Sequence, residues 1–395
     1  VQVALALVLV VSAILMVRTF AALRNVHPGF VDAATVQTVR TWAPNAVLRN
    51  PEQLYRLQRE MLEAIAALPG VKSVGFTNAL PMEGAPFVGS SILVIEGSEL
   101  APGDSPPTYR MKAVSPGYFE TMDTRIVAGR DLTWADLESG GRVALISEEL
   151  ARELGPTPAD ALGRRIRLPN DRDDWREVIG VVESVKEDAL HTKAPAIAYW
   201  PAMMRNAFGL EALAFPAIAF VVRSDRTGTA ALNNEIREAI WSVNRDAPVA
   251  LERTMQSLYA GSLAQTSFAL VMLALASAMA LVLGLVGIYG VIAYVVSQRS
   301  REIGIRLALG AQQREVRTMF LRQGLGLSAI GLAIGLAVAI GVTRLMSSLL
   351  FGVSPTDAVT YVAAVAVIVG AAALASYLPA RRASAIDPVE TLKAE

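Results

Sequence analysis

The sequence has no cysteine and only two histidines, His27 and His191. Without cysteine there is no disulfide framework and no thiolate metal site. With its two histidines in separate loop-like contexts, the chain cannot form the H-E-x-x-H pattern of zinc hydrolases. No G-x-S-x-G supplies a serine for a triad. Both histidines are expected to have ordinary surface or packing roles. The chain also lacks G-x-x-x-x-G-K-[ST], so it carries no phosphate-cradling loop and is not itself a P-loop ATPase. Asp171, Asp173 and Asp174 lack the glycine and distal glutamate of a calcium loop and read as a solvated acidic turn. Lys plus Arg total 36, as do Asp plus Glu, so no net charge draws nucleic acid to the chain.

Charge is scarce: 18% of 395 residues, against 53% hydrophobic. That is too apolar for an ordinary soluble enzyme and too charged for a protein made only of spans. The apolar excess gathers in four places. Residues 1–17 are uncharged before Arg18. No charge appears between Arg253 and Arg299, nor over 323–343, nor over 358–380. A span needs about 20 apolar residues to cross about 30 Å of hydrocarbon, so four transmembrane helices are predicted, over 1–18, 267–297, 323–343 and 358–380. The first is short, starts without Met and lacks a basic n-region and a small-residue cleavage site. It reads as a transmembrane helix whose beginning is missing, not as a signal peptide.

Residues 298–322, between the second and third spans, hold Arg299, Arg301, Arg306, Arg314, Arg317 and Arg322 against Glu302 and Glu315. Short loops rich in Lys and Arg stay in the cytoplasm, which orients the rest. Residues 344–357 become an outer loop, Arg381 and Arg382 open a cytoplasmic tail over 381–395, and residues 19–266 face outside. Arg18 and Arg24 then lie on the unexpected side of the first span, which is tolerated because long domains cross largely regardless of charge.

Residues 19–266 have globular character. Residues 51–68 show helical periodicity, with Leu54, Leu57, Met61, Ile65 and Leu68 on one stripe, and Pro69-Gly70 as a stop. Strands are predicted at 71–77, 92–96, 109–114, 142–146, 177–185 and 217–222, and helices at 116–122, 148–154 and 229–243. Loops are read at 97–107 and 168–174. Interleaved elements of this kind predict an α+β domain with an inserted lobe around 85–200.

The spans contain no Asp, Glu, Lys or His. Intramembrane ionisable residues mark proton relays and ion pathways, so their absence argues against an ion-coupled transporter. Small residues are present instead: Gly284, Gly287 and Gly290 in the second span, and Gly331, Gly335 and Gly341 in the third. The Gly331-x-x-x-Gly335 spacing predicts close helix contact, within the bundle or in a dimer, above the general enrichment of glycine in membrane helices.

In the Arg-rich loop, Glu302 and Arg306 stand at i, i+4 in the favourable order, and Gly310 sits where a helix would end. Ile303 with Leu307, and Ile305 with Leu309, form two stripes on different sides of that helix. One can lie on lipid or neighbouring spans; the other fits a protein groove.

Residues 300–311 (SREIGIRLALGA) resemble the cytoplasmic signature of the MacB/FtsX-type permeases of ABC transporters. Residues 377–392 (YLPARRASAIDPVETL) resemble that family's C-terminus. Residues 349–357 (LLFGVSPTD), and the run from Arg18 to His27-Pro-Gly-Phe30, are similar to a bacterial subgroup of long, duplicated permeases. The resemblance implies a four-helix transmembrane permease with a large α+β extracytoplasmic domain inserted between helices 1 and 2, in a bacterial inner membrane. It implies a dimer or pairing with a second permease half, and it implies that this chain is the C-terminal half of a longer one. Arg301, Glu302, Ile303, Gly304, Arg306, Gly310 and Ala311 would be the positions that couple to an ABC ATPase in a partner chain or domain. ATP would bind there, with no cofactor in this chain. The family is thought to work by mechanical transmission, for efflux or envelope work, with a periplasmic partner as a further expectation. Two other classes remain in view. One is a non-transporting regulator whose outer domain activates an envelope partner. The other is a membrane-tethered enzyme, for which the sequence supplies no nucleophile or base.

Overall fold

The computed structural model describes residues 2–84, 89–97, 106–170, 172–298 and 313–383. The chain divides into two compact units, one of residues 27–263 and one of residues up to 26 together with those from 264 on.

The inserted unit is built on a twelve-stranded mixed sheet. In chain order its strands are β1 (Val36–Trp42), β2 (Val71–Thr77), β3 (Gly89–Ile92), β4 (Val94–Ile95), β5 (Thr108–Val114), β6 (Ile126–Gly129), β7 (Val143–Ser147), β8 (Arg165–Arg167), β9 (Arg176–Val182) and β10 (Ile197–Pro201), then β13 (Ala217–Ser224) and β14 (Val249–Thr254). The main path runs β14-β1-β13-β2-β5-β10-β7-β9-β8-β4. A separate hairpin, β11 (Met203–Ala207) with β12 (Leu210–Ala214), joins β10 to β13. The sheet supports two cores. In the first, α2 (Pro51–Ala66) and α6 (Ala230–Val243) cover β1, β2 and β13, with Leu54, Ile65, Phe76, Phe220 and Ile236 buried. In the second, α5 (Glu148–Leu154) packs on β7, β9 and β10 through Leu150, Ile146, Val181 and Trp200. Short helices α3 (Tyr118–Met122) and α4 (Trp134–Glu138) complete the unit.

Local chemistry sets these elements. Asn50 caps α2 by accepting from Gln53 N at 3.1 Å, and Pro51 occupies the first turn, where its missing N–H is harmless. The buried face of α2 also takes in Tyr55, Gln58 and Leu62, while Leu57 and Leu68 are half-buried, so the true face is turned from the predicted stripe. The predicted strand at 92–96 is interrupted at Leu93: β3 pairs with β5 and β4 with β8. Strand β1, which sequence patterning does not reveal, lies between β13 and β14. Its polar residues Gln37, Thr38 and Arg40 are buried and satisfied. Gln37 Nε2 and Thr38 Oγ1 each donate to Arg253 O at 2.8 Å, and Arg40 pairs with Glu83. That removes the polar-out alternation by which a strand is recognised.

The acidic turn needs correction. Asp173 is not solvated; it is 5% exposed. Its carboxylate accepts from Phe208 N and Gly209 N, both at 2.8 Å, and so fixes the tip of the β11–β12 hairpin. Asp174 accepts from Arg142 and Asn206, and Asp171 lies outside the described residues. Phe208, Asn206 and Gly209 all have positive φ there, a conformation that a bulky residue adopts only when its surroundings impose it. Both histidines are exposed; His27 Nδ1 accepts from Gly29 N at 3.2 Å and lies 3.7 Å from Glu183. Among the described residues no cluster of metal-ligating side chains occurs.

The second unit consists of α1 (Gln2–Arg24), most of α7 (Met255–Gln298), α8 (Gln313–Leu345) and α9 (Ala358–Ala383). Each contains a stretch long and apolar enough to cross a membrane: Gln2–Arg24, Thr266–Gln298, Gly324–Leu345 and Ala358–Pro379. All four helices outrun the predicted spans. Hydropathy marks the window that fits hydrocarbon, whereas arginine and glutamate are good helix formers and do not end the hydrogen-bonded coil.

Candidate functional site in the helical bundle

Helix α1 is central to its unit. Leu7, Val11 and Leu15 are buried with Ala339, Ala364 and Ile368 of α8 and α9. The approach of α8 to α1 depends on glycine. A methyl group at position 331 would fall 2.8 Å from Val3 Cβ, and one at 335 would fall 3.0 Å from Ala4 Cα and 3.1 Å from Ala4 O. The two glycines thus lie against α1, inside the bundle. In α7, Gly287 faces the Gln2 side chain, whereas Gly284 has no atom within 4 Å of an added Cβ. Helix α7 is held to α1 by Ser277, whose Oγ donates to Leu9 O at 2.8 Å and to Leu273 O of its own helix at 2.6 Å.

The polar side chains buried in the described spans are hydroxyls. Ser12 donates to Val8 O and Ser328 to Gly324 O, each at 2.8 Å. Thr343 and Tyr361 share a bond of 2.9 Å. Hydroxyls bonded to a carbonyl one turn back satisfy themselves without bringing charge into hydrocarbon.

One charge pair stands at the edge of this apolar interior. Arg18 of α1 pairs with Asp357 and lies 3.3 Å from Thr360 Oγ1. Asp357 precedes α9 and accepts from Thr360 N and Thr360 Oγ1, both at 2.8 Å. Those two bonds, with Arg18 added, hold its carboxyl below the ordinary carboxylate range. The arginine that charge counting placed on the unexpected side of the span therefore has a dedicated counter-ion, 339 residues away in sequence. Its misplacement was the one sequence signal of this contact.

The Arg-rich segment is bracketed by α7, ending at Gln298, and α8, beginning at Gln313. Arg301, Glu302, Ile303, Gly304, Arg306, Gly310 and Ala311 lie outside the described residues.

Residues 3–239 match the MacB-like periplasmic core domain, and residues 274–388 match the FtsX-like permease C-terminal family. The chain belongs to the MacB/FtsX-type family of ABC transporter permeases. PvdT of Pseudomonas savastanoi pv. phaseolicola, a pyoverdine export ATP-binding/permease protein, is 28% identical over 275 residues, covering 68% of this chain and 40% of the relative. The ABC transporter permease YknZ of Bacillus subtilis is 27% identical over 297 residues, 72% of this chain and 70% of the relative. The periplasmic region of MacB from Actinobacillus actinomycetemcomitans, known from a crystal structure, aligns with a TM-score of 0.37 at 14% identity, over 58% of this chain and 92% of that one. The chain spans about 40% of the length of the PvdT relatives it matches. As a MacB/FtsX-type permease it is a multi-pass membrane protein with a MacB-like domain inserted between its first two spans.

Proposed function

We propose that this chain is the permease subunit of an ABC transporter that carries ATP-driven motion from a cytoplasmic ATPase to the inserted domain on the other side of the membrane, for efflux. The observation that carries the reading is the interior of the helical unit. Among the described residues its buried polar side chains are hydroxyls, and α8 approaches α1 through Gly331 and Gly335, which suits a strut better than a hydrated path for cargo. A strut needs rigid packing and an attachment at each end; the inserted domain is one end. The Arg-rich segment with Glu302 and Arg306 is the other, held in the cytoplasm by its charge and docked on an ATPase that binds the nucleotide. Efflux is the favoured form of work because PvdT is named for export. The working unit pairs this permease with a second copy or a second permease half, in a bacterial inner membrane, with the inserted domain meeting a periplasmic partner.

The test is purification of the intact protein from membranes with identification of bound ATPase, beside a Glu302→Lys variant. Loss of the ATPase from a variant that still folds is expected. Unchanged ATPase association and stimulation would count against docking by this segment. Capture of an envelope enzyme or receptor, with no ATPase and no efflux phenotype, would replace the reading with that of a non-transporting regulator.

A further inference from the structure

His27-Pro28-Gly29-Phe30 opens the inserted unit and has no part in the strut described above. Three of its residues fasten the chain as it enters. Phe30 is buried, 3% exposed. Gly29 has a φ of 92°, and a methyl group there would fall 2.5 Å from Ser184 O and 2.7 Å from Val185 Cα, so only glycine fits. Pro28 O accepts from Lys186 N at 2.8 Å, and Gly29 O accepts from Thr124 Oγ1 at 3.0 Å. Next along the chain, Val31 N donates to Met122 O at 3.3 Å. The segment is thus sewn to the end of α3 and to the loop that follows β9.

The fourth residue, His27, has one contested ring atom. Its Nδ1 lies 3.2 Å from Gly29 N, a donor, and 3.7 Å from Glu183 Oε1, an acceptor. One nitrogen cannot serve both. Without a proton, Nδ1 accepts from Gly29 N and the ring carries its hydrogen on Nε2. With a proton, Nδ1 becomes a donor: it opposes the Gly29 N–H and finds its partner in Glu183. Both candidates already flank the same atom, so the exchange needs a proton and a small tilt of the ring. His27 is 57% exposed, which lets water deliver that proton. An imidazole takes it up in a range where an ordinary carboxylate stays ionised. Glu183 also meets Arg125, whose Nε lies 3.9 Å from its Oε2. Lys186 of the same loop is engaged elsewhere, donating from Nζ to Thr192 O at 2.6 Å.

We propose that His27 is a proton-operated clasp on the segment entering the domain: uncharged it closes on Gly29 N, and charged it turns to Glu183. The other anchors are backbone carbonyls, a hydroxyl and a buried ring, none of which titrates. The segment therefore stays docked and loses one tie. That the clasp meets the pH outside the cell rests on the orientation proposed above; the titration itself does not.

The chain has two histidines, so magic-angle-spinning NMR of the full protein in lipid bilayers, labelled only at histidine, reads the ring directly. His191→Gln assigns the signals. At pH about 8 the ring of His27 is expected to be neutral with a bare Nδ1, and at pH about 5 to be protonated on both nitrogens. Its charged Nδ1 signal should shift in Glu183→Gln. Hydrogen exchange of the Gly29 amide, corrected for the intrinsic rate at each pH, should lose about tenfold of its protection on charging, the worth of one hydrogen bond. In His27→Gln that dependence on pH should vanish. A neutral ring with its hydrogen on Nδ1 overturns the proposal, because it cannot accept from Gly29 N. So does a charged Nδ1 signal indifferent to Glu183→Gln. Gly29 protection that is level with pH in the parent, or that varies alike in His27→Gln, overturns it too. If Glu183→Gln does not fold, the tautomer and the Gly29 protection of the parent decide.

Discussion

The inserted domain and the helical unit solve the burial of polar groups in opposite ways. The domain takes whole charges out of water and pairs them: Lys112 and Glu187 are 1% and 0% exposed. Among the described residues the helical unit buries hydroxyls, Ser12 and Ser328 bonded one turn back in their own helices, and the Arg18–Asp357 pair at the membrane edge is partly open. The domain folds from a chain in water, where an ion that leaves solvent can be repaid by a well-placed partner and extra hydrogen bonds. A span has no such reservoir of water around it, so charge is excluded and close approach comes from glycine. The same polypeptide therefore follows two codes for what belongs inside.

The contrast can be broken most forcefully at Glu187. Glu187→Gln leaves Lys112 as a buried unpaired cation and is expected to destabilise the domain by about 3–5 kcal/mol. Lys112→Met with Glu187→Leu together should recover most of that loss. All five tryptophans lie within residues 27–263, so tryptophan fluorescence during denaturant unfolding of the full chain reads this domain. Equal effects of the single and double changes would remove the distinction between paired and stranded charge.

In the helical unit the corresponding weak point is a glycine. Gly335→Val forces α8 away from Ala4 and should cost about 1–3 kcal/mol, whereas Gly341→Ala, with open space around it, should stay within about 0.5 kcal/mol. Thermal unfolding in detergent, followed by helical circular dichroism, separates the two. A smaller effect comes from Asp131, whose carboxyl burial pushes up to about 6. An unfolded-chain aspartate titrates near about 4. Between those values the folded protein holds more protons than the unfolded one, so stability falls as pH rises through that window and is level above it. Asp131→Asn should therefore stabilise the protein by about 1–2 kcal/mol at pH near 8, with the gain vanishing by pH near 4. Unfolding midpoints at the two pH values check it. Ser277→Ala should cost only about 0.6 kcal/mol, because a hydroxyl in a span is weakly committed to any one partner; thermal unfolding against the parent reads it.

What could be read from the sequence divides along the same line. Long apolar runs bounded by arginine reveal four helices because a bilayer imposes one length and one polarity on all of them. In the domain, elements with a simple apolar face were legible: β2 spans the predicted 71–77 and α5 the predicted 148–154. Strand β1 was not, because Gln37, Thr38 and Arg40 are buried with partners far away in sequence. Asp173 misled for the same reason: an isolated acidic run reads as solvated until Phe208 N and Gly209 N arrive from a distant hairpin. The Gly331-x-x-x-Gly335 spacing pointed to a close helix contact, but naming α1 as the neighbour needed three dimensions.

Asp357 has one further consequence. It starts α9 through Thr360 and also grips Arg18, so the beginning of one helix is tied to a rung of another. Each residue of slip along a helix moves a side chain about 1.5 Å and turns it about 100°. The pair therefore works as a depth gauge. The fourth helix cannot be shifted by one residue in the membrane without losing either its cap or its arginine.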